Sequence, residues 1–202
     1  FVREIWTAMG FRAASLGTVG VVGPSGTIAI EHTTPDPMTL HGIAAALSDD
    51  HVQHLAIEAS SHGLDQYRLH GLRIAAGAFT NITRDHLDYH ATFEDYFNAK
   101  MRLFEELLQP GTSAVINADA PQGAEVAARA VGHGLNSFTV GRNGTALKLL
   151  SAERDGFGQR LEVQGPAQRH ALLLPLVGDF QTSNALVAAG LVIATGGEEV
   201  LA

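Results

Sequence analysis

The chain has 202 residues, of which 46% are hydrophobic, so it can bury a core and is not a disordered tail. Its formal charge of -8, from 13 basic and 21 acidic residues, argues against a nucleic-acid groove, which needs clustered cations. The lack of cysteine excludes disulfides and thiolate metal sites, and no apolar run reaches the roughly 20 residues that span a bilayer.

The first predicted element is a helix over residues 1–9 that ends at Gly10. Charges interrupt its apolar pattern and no cleavage signature follows, so it is not a signal peptide, and a cytoplasmic location is expected. No capping residue precedes this helix, which indicates a chain that begins inside a helix.

Strands and helices alternate along the rest of the chain. Apolar runs bounded by turn residues predict strands, and apolar residues at three- and four-residue spacings predict helices. This order predicts an α/β fold with a mostly parallel central sheet flanked by helices, and a small antiparallel sheet. The predicted strands span 13–17, 27–31, 54–59, 75–80 and 113–117, with antiparallel strands at 146–152, 159–163 and 171–174, and the later helices span 39–47, 93–108, 123–131 and 179–194.

A lysine stands among apolar residues in the helix predicted over 93–108. Lys100 shares one face of that helix with Phe93, Phe97, Phe104 and Leu107. Its ammonium could reach past the edge of the core to water. Alternatively, the lysine points inward, where desolvation lowers its pKa and frees a neutral amine for chemistry. The spacing leaves both readings open.

Polar residues follow the strand predicted over 54–59, in the segment EASSHGLDQYR. Glu58 ends the apolar run, where a carboxylate needs a cation or a metal ion, and Ser60, Gln66 and Arg68 supply donors. The segment could equally be a polar turn that caps a helix. A serine-hydrolase site is not supported, because no G-x-S-x-G elbow is present.

Two further segments place polar groups near element ends. TNITRDHLDYH begins at the end of the strand predicted over 75–80, and its Asp85, His86 and Asp88 could bind a divalent ion, although most isolated histidines are structural. TTPDP, with Thr33 and Thr34, could cap the next helix through Asp36 or Thr34, with a proline in its first turn, or it could present hydroxyls to an anionic substrate. Spacing alone does not choose between these alternatives.

Together these segments resemble one family. The chain contains, in this order, TTPDP, EASSHGLDQYR, FTNITRDHLDYH, YFNAKMRLF, AVINAD and GDFQTSNALVAAGL. The order and the residues of these motifs resemble those of the Mur ligase family, in particular its MurE branch of UDP-N-acetylmuramoyl-alanyl-glutamate ligases. The resemblance covers nearly the whole chain and is most specific from Thr33 to Phe104.

The resemblance implies roles for individual residues. It implies contacts with a UDP-muramoyl dipeptide, a magnesium site, and a residue near the adenine of ATP. Lys100 would be carbamylated, which turns a buried cation into a carboxylate-like ligand, and would be catalytic together with His86. In this assignment the substrate-binding residues are Thr33, Thr34, Ser60, Gln66 and Arg68, the magnesium ligands are Glu58, His86 and carbamylated Lys100, and the residue near adenine is Asn184.

The resemblance also implies that residues 1–202 form the central, ATP-binding domain, truncated at both ends. The family's UDP-binding N-terminal domain, its C-terminal domain and its G-T-N-G-K-T phosphate loop would lie outside the chain. The chain alone is therefore expected to lack ligase activity and to bind ATP weakly at best. His32 stands where many relatives have Asn, and Ala120 stands where a second acidic residue is usual.

The implied activity of the intact parent is ATP-dependent amide ligation in peptidoglycan precursor synthesis. It would add the third amino acid, meso-diaminopimelate in preference to lysine, to UDP-N-acetylmuramoyl-L-Ala-D-Glu through an acyl phosphate, with ATP and magnesium. Two alternatives stay open: a sibling ligase of the MurF or folylpolyglutamate synthetase type, and a non-catalytic module that binds a UDP-sugar peptide. Neither a nucleic acid nor a membrane is an expected partner.

Overall fold

The computed structural model describes residues 1–83 and 88–197. The chain forms two compact units. The N-terminal unit comprises Val2–Ile74 and Thr83–Leu107, and the C-terminal unit comprises Phe1, Ala75–Ile82 and Leu108–Ala202. In the part of the chain that is described, no helix is long and apolar enough to cross a membrane.

The N-terminal unit contains a four-stranded mixed sheet with helices packed around it. Its elements are α1 (Val2–Ala8), β1 (Ala13–Gly17), β2 (Gly20–Gly23), β3 (Gly26–Ile28), α2 (Pro37–Asp49), β4 (His54–Ile57), α3 (Ser61–Asp65) and α4 (Phe93–Arg102), which continues as a π-helical turn over Leu103–Leu107. The strand order is β3-β2-β1-β4, with β1 parallel to β4 and the other pairs antiparallel. Because β1 and β4 run in the same direction, Gly17 at the end of β1 and Glu58 after β4 lie at one edge of the sheet.

Capping explains why α2 begins where it does. The hydroxyl and the N–H of Thr39 donate hydrogen bonds to the Asp36 carboxylate, which lowers the pKa of Asp36. Pro37 occupies the first helical position, where its missing N–H costs nothing. The capping reading of TTPDP is therefore confirmed through Asp36, whereas Thr34 makes different contacts.

The C-terminal unit is built on a six-stranded sheet. Its elements are β5 (Ala76–Phe79), β6 (Ser113–Asn117), α5 (Gly123–Gly132), β7 (Asn136–Gly141), β8 (Leu147–Asp155), β9 (Gly158–Gln164), β10 (Arg169–Leu174) and α6 (Asp179–Ala194). Strands β5, β6, β7 and β8 are parallel neighbours, and β9 and β10 extend the same sheet in antiparallel pairing.

The core of the C-terminal unit lies between this sheet and α6. Gly190 allows the helix to approach closely, because a Cβ atom there would lie 2.7 Å from Val115 Cγ1 and 3.1 Å from Val140 Cγ1. The contact buries aliphatic residues of both elements, which is the main source of stability in such a layer. The buried cluster comprises Val115, Val140, Leu147, Leu149, Leu161, Val163, Leu186, Val187 and Ala189.

The predicted fold class is confirmed, with differences at particular elements. The antiparallel strands continue the parallel sheet and do not form a separate one. The predicted strand over 54–59 is only half-buried as β4, because it forms the edge of its sheet. The prediction omitted β2, β7 and α3, and it treated 93–108 as one regular helix, whereas the last part is a π-helical turn.

Candidate functional site

The hydroxyl of Thr34 joins two loops at the carboxyl end of β4. Thr34 is 1% exposed, and its Oγ1 donates to the Glu58 carbonyl at 2.8 Å and accepts from the Ser60 N–H at 3.1 Å. Ser60 in turn caps α3, since its Oγ accepts from the Gly63 N–H at 3.0 Å. Gly63 has to be a glycine, because a Cβ there would lie 2.7 Å from the Thr34 Cβ. Thr34 and Ser60 are therefore held in fixed positions.

Arg68 belongs to the same cluster. Its Nη1 donates to the Thr34 carbonyl at 2.7 Å, and its Nε and Nη2 donate to Gln66 Oε1 at 3.0 and 2.6 Å. Both partners are neutral, and no carboxylate among the described residues pairs with the guanidinium. Such a guanidinium keeps its charge and is suited to bind an anion.

Glu58 and Thr33 lie at the edge formed by β1 and β4. Glu58 Oε2 accepts hydrogen bonds from the N–H and the hydroxyl of Thr18, both at 3.1 Å. The Thr18 hydroxyl also lies 3.3 Å from the Thr33 hydroxyl. Gly17 makes room for the carboxylate, because a Cβ there would lie 2.7 Å from Glu58 Oε2. Glu58 is thus oriented through one oxygen.

Lys100 lies on α4, half-buried, with its Nζ 5.3 Å from the centroid of the Tyr96 ring. Burial lowers the pKa of the Lys100 amine, and the negative charge of Glu58 raises it by a smaller amount. The reading of Lys100 as an inward, desolvated amine is favoured over a lysine that reaches freely into water. The electrostatic interaction also places Lys100 in the neighbourhood of Glu58.

Only part of the predicted metal site lies among the described residues. His86 lies outside the described residues. Among residues 1–83 and 88–197, no three side chains of His, Asp or Glu come together as a metal site. The assignment of Glu58, His86 and Lys100 to magnesium therefore stays a prediction.

Asn184 lies near the start of α6 and is half-buried. A cavity of about 300 Å³ lies beside the same helix in the C-terminal unit, and Thr182 and Ser183 line it, whereas Asn184 does not. A helix turns about 100° per residue, so Asn184 faces away from this cavity. The assignment of Asn184 to the adenine of ATP stays a prediction.

The two departures from the family pattern lie in different surroundings. Ala120 is 8% exposed, and a second carboxylate buried there would cost free energy unless a cation or hydrogen-bond donors paired with it. Asp119 beside it accepts from the Arg142 N–H at 2.6 Å and from the Asn143 N–H at 2.8 Å, so it holds the turn after β7. His32 is exposed.

Two residues of the cluster were missed by sequence reasoning. Thr18 orients Glu58, and Tyr89 accepts a hydrogen bond from Gln66 Nε2 at 3.1 Å. Thr18 follows a predicted strand, so its position at the sheet edge was a usable signal. Tyr89 stands more than 20 residues from Gln66, and no spacing rule connects the two.

We expect Lys100→Met to stabilise the unmodified chain at pH 7, raising its melting temperature by about 2 °C. The lowered pKa means that the folded chain holds the lysine proton less tightly than the unfolded chain. The free-energy cost of burying the ammonium is fully present at any pH below the folded-state pKa of Lys100. It disappears as the pH rises through that value towards the ordinary value of 10.5. Calorimetry in carbon-dioxide-free buffer, at pH 7 and again at a pH near 10.5, measures the difference in melting temperature between Lys100→Met and the wild type.

The exposed Lys148 on β8 provides the control for this measurement, because its ammonium stays in water. We expect Lys148→Met to leave the melting temperature unchanged at both pH values. A Lys100→Met chain with a lower melting temperature than the wild type at pH 7 would show that the buried ammonium does not destabilise the fold.

A model of the Mur ligase middle domain matches residues 1–192. The chain is 50% identical over 202 residues to the UDP-N-acetylmuramoyl-L-alanyl-D-glutamate--2,6-diaminopimelate ligase of Bradyrhizobium diazoefficiens, and 52% identical over 196 residues to that of Mesorhizobium japonicum. These matches cover 98% and 97% of the chain but only 42% and 40% of the two relatives. The chain therefore spans about two fifths of their length.

Solved structures agree with this relationship. A UDP-N-acetylmuramoyl-L-alanyl-D-glutamate--2,6-diaminopimelate ligase matches with a TM-score of 0.87 at 27% identity, covering 99% of this chain and 41% of that one. MurF from Acinetobacter baumannii, at 16% identity and a TM-score of 0.74, covers 99% of this chain and 41% of its own and shares the fold. Because the family model matches nearly its whole length, the chain belongs to the Mur ligase family.

Proposed function

We propose that the chain is the central domain of an ATP-dependent ligase that joins 2,6-diaminopimelate to UDP-N-acetylmuramoyl-L-Ala-D-Glu. The observation that supports it best is the hydrogen-bonded cluster of Thr34, Ser60, Gln66 and Arg68. These are residues that the family resemblance assigns to the muramoyl dipeptide, and they meet at the carboxyl edge of parallel strands, where open α/β sheets bind ligands.

The chemistry of each group suits this reaction. Arg68, with neutral partners only, would attract an anionic group of the dipeptide substrate. The D-glutamate side-chain carboxylate would take the γ-phosphoryl group of ATP, with ADP as leaving group. The amine of the diamino acid would then attack the acyl phosphate, forming the amide and releasing phosphate. The Thr34 hydroxyl already donates its proton to the Glu58 carbonyl and accepts from the Ser60 N–H, so its contribution is to hold this edge in place.

We propose that Glu58, His86 and carbamylated Lys100 would hold a magnesium ion. Glu58 is held by Thr18 through Oε2, and among the described residues its Oε1 accepts no hydrogen bond, which leaves that oxygen for a hard cation. The poorly solvated amine of Lys100 is the form that reacts with carbon dioxide, and the carbamate would add oxygen ligands. His86 would complete the set. When bound, magnesium would offset the repulsion between the two anionic substrates.

The decisive experiment extends the chain by its flanking coding sequence and measures ADP formation with the muramoyl dipeptide, ATP and magnesium. We expect ADP formation that depends on meso-diaminopimelate, with lysine a much poorer acceptor. We also propose that the reaction takes place in the cytoplasm, because its substrates are nucleotide-linked and polar.

The other readings predict different outcomes of the same assay. If the dipeptide binds but neither amino acid supports ADP formation, the protein is a non-catalytic binding module. If only a folate or a dipeptide acceptor supports turnover, it is a sibling ligase. Either result would replace the proposed activity.

A further inference from the structure

A series of hydrogen bonds connects the carboxylate of Asp65 with the guanidinium of Arg68. Tyr89 donates from its hydroxyl to Asp65 Oδ2 at 2.7 Å and accepts from Gln66 Nε2 at 3.1 Å. Gln66 Oε1 accepts from Arg68 Nε and Nη2 at 3.0 and 2.6 Å. We call these four residues the Arg68 tether. The donors and acceptors alternate along it, so each group fixes the orientation of the next.

The tether orients Arg68 without neutralising it. A carboxylate paired directly with the guanidinium would cancel its charge and compete with an incoming anion. Here the carboxylate of Asp65 reaches Arg68 only through a phenol and an amide, which are neutral. Both lone pairs of Gln66 Oε1 are occupied by Arg68, so the amide has only one hydrogen left for another partner.

We propose that Tyr89 is a positioning residue, which aims the Arg68 guanidinium at an anionic group of the substrate through Gln66. The role rests on the proposed function, since it concerns the same substrate. Tyr89 itself touches Gln66 and Asp65 and acts on Arg68 only through them.

The far end of the tether is anchored to the neighbouring helix. The carbonyl of Asp65 accepts from Arg102 Nη1 at 3.0 Å, and Arg102 is bound by Glu106 through two hydrogen bonds of 2.9 Å. The Arg102 guanidinium lies 3.8 Å from the centroid of the Tyr67 ring. Tyr67 has a φ of 58°, a costly conformation for a bulky residue, and this stacking helps to hold it.

The hydroxyl of Tyr89 can be tested apart from its ring. The ring packs 3.9 Å from that of His62, centroid to centroid, so Tyr89→Phe keeps the packing and loses only the hydrogen bonds. In the full-length ligase, we expect Tyr89→Phe to raise KM for the muramoyl dipeptide about fivefold, the value of one typical hydrogen bond, with kcat and KM for ATP unchanged.

Ser25→Ala is the control, because it removes a hydroxyl of the same unit that donates to a carboxylate outside the tether, Asp50 Oδ2 at 2.6 Å. We expect it to leave KM for the dipeptide unchanged. The proposal is overturned if Tyr89→Phe leaves that KM unchanged, if Ser25→Ala raises it equally, or if KM for ATP rises in Tyr89→Phe as well, which would indicate a general loosening of the structure.

A second measurement uses the chain itself and does not depend on ligase activity. The Nε–H of Arg68 should give a protected nitrogen–proton NMR signal, and Gln66→Leu, which removes its acceptor, identifies that signal. We expect Tyr89→Phe to speed its exchange with water. An unchanged Arg68 signal in Tyr89→Phe refutes the tether. A wild-type ligase without turnover would instead refute the proposed function, and the signal would still decide whether the tether exists.

Discussion

Lys100→Ala in the full-length ligase is expected to lower kcat by about a thousandfold, the order seen when one preorganised charge-stabilising group is removed. The lysine is half-buried on α4, and burial lowers its pKa, which favours the neutral amine that forms a carbamate. Without the carbamate, the proposed magnesium site loses ligand oxygens. Steady-state ADP formation at saturating substrates measures the loss.

Added acetate should restore part of the Lys100→Ala activity, because a free carboxylate can occupy the vacated ligand position. Lys148→Ala, at the chain's other lysine, should keep wild-type kcat and show no response to acetate. A Lys100→Ala enzyme with normal turnover would contradict both the carbamate and the metal assignment. Unfolding of the variant is not the expected cause of any loss, because alanine suits a helix.

Arg68→Ala should raise KM for the muramoyl dipeptide about 10- to 100-fold, since a hydrogen bond to a charged group contributes roughly 1.5–3 kcal/mol. The guanidinium has neutral partners only, so its charge remains for the substrate. Arg68→Lys should recover part of the loss at most, because an ammonium cannot form the paired contact with Gln66 Oε1. Initial rates over a range of dipeptide concentrations measure the effect.

Arg73→Ala is the control for Arg68, because Arg73 is an exposed arginine of the same unit. It should leave KM for the dipeptide within twofold of the wild type, apart from a small salt-dependent change that is shared by any surface charge. Equal effects of the two alanine variants would mean that general charge attraction, and not a fixed contact, draws the substrate to this edge.

Elements with a continuous apolar run were predictable from the sequence. Helix α6 matches its predicted bounds of 179–194, and β6 matches 113–117, because each contains an apolar run that polar or turn residues delimit. Short elements were not predictable. α3 has five residues, too few for a helical period, and β7 begins with polar, exposed residues. The fold class depends on the elements that were predicted, so its prediction was correct despite these omissions.

Which residues of the candidate site come together was only partly predictable. The sequence placed Glu58 at the end of a predicted strand and Ser60 just after it, and the structure joins both to Thr34, whose carbonyl accepts from Arg68. It could not foresee that the Thr34 hydroxyl is used internally, because that depends on a loop 24 residues away. The role of Tyr89 could not be predicted for the same reason, because it depends on proximity in the folded chain.

The π-helical turn over Leu103–Leu107 has a consequence for how the domain tolerates insertions and deletions. A π-turn contains about one residue more than a turn of α-helix. A one-residue deletion there can therefore be absorbed when the turn closes to α-helical geometry, so that Leu107 and Leu108 stay buried and Lys100 upstream stays in place. The same deletion within the regular part of α4 would instead rotate everything beyond it by about 100°. Loss of one residue at the π-helical turn should therefore cost less stability than the same loss within the α-helical part.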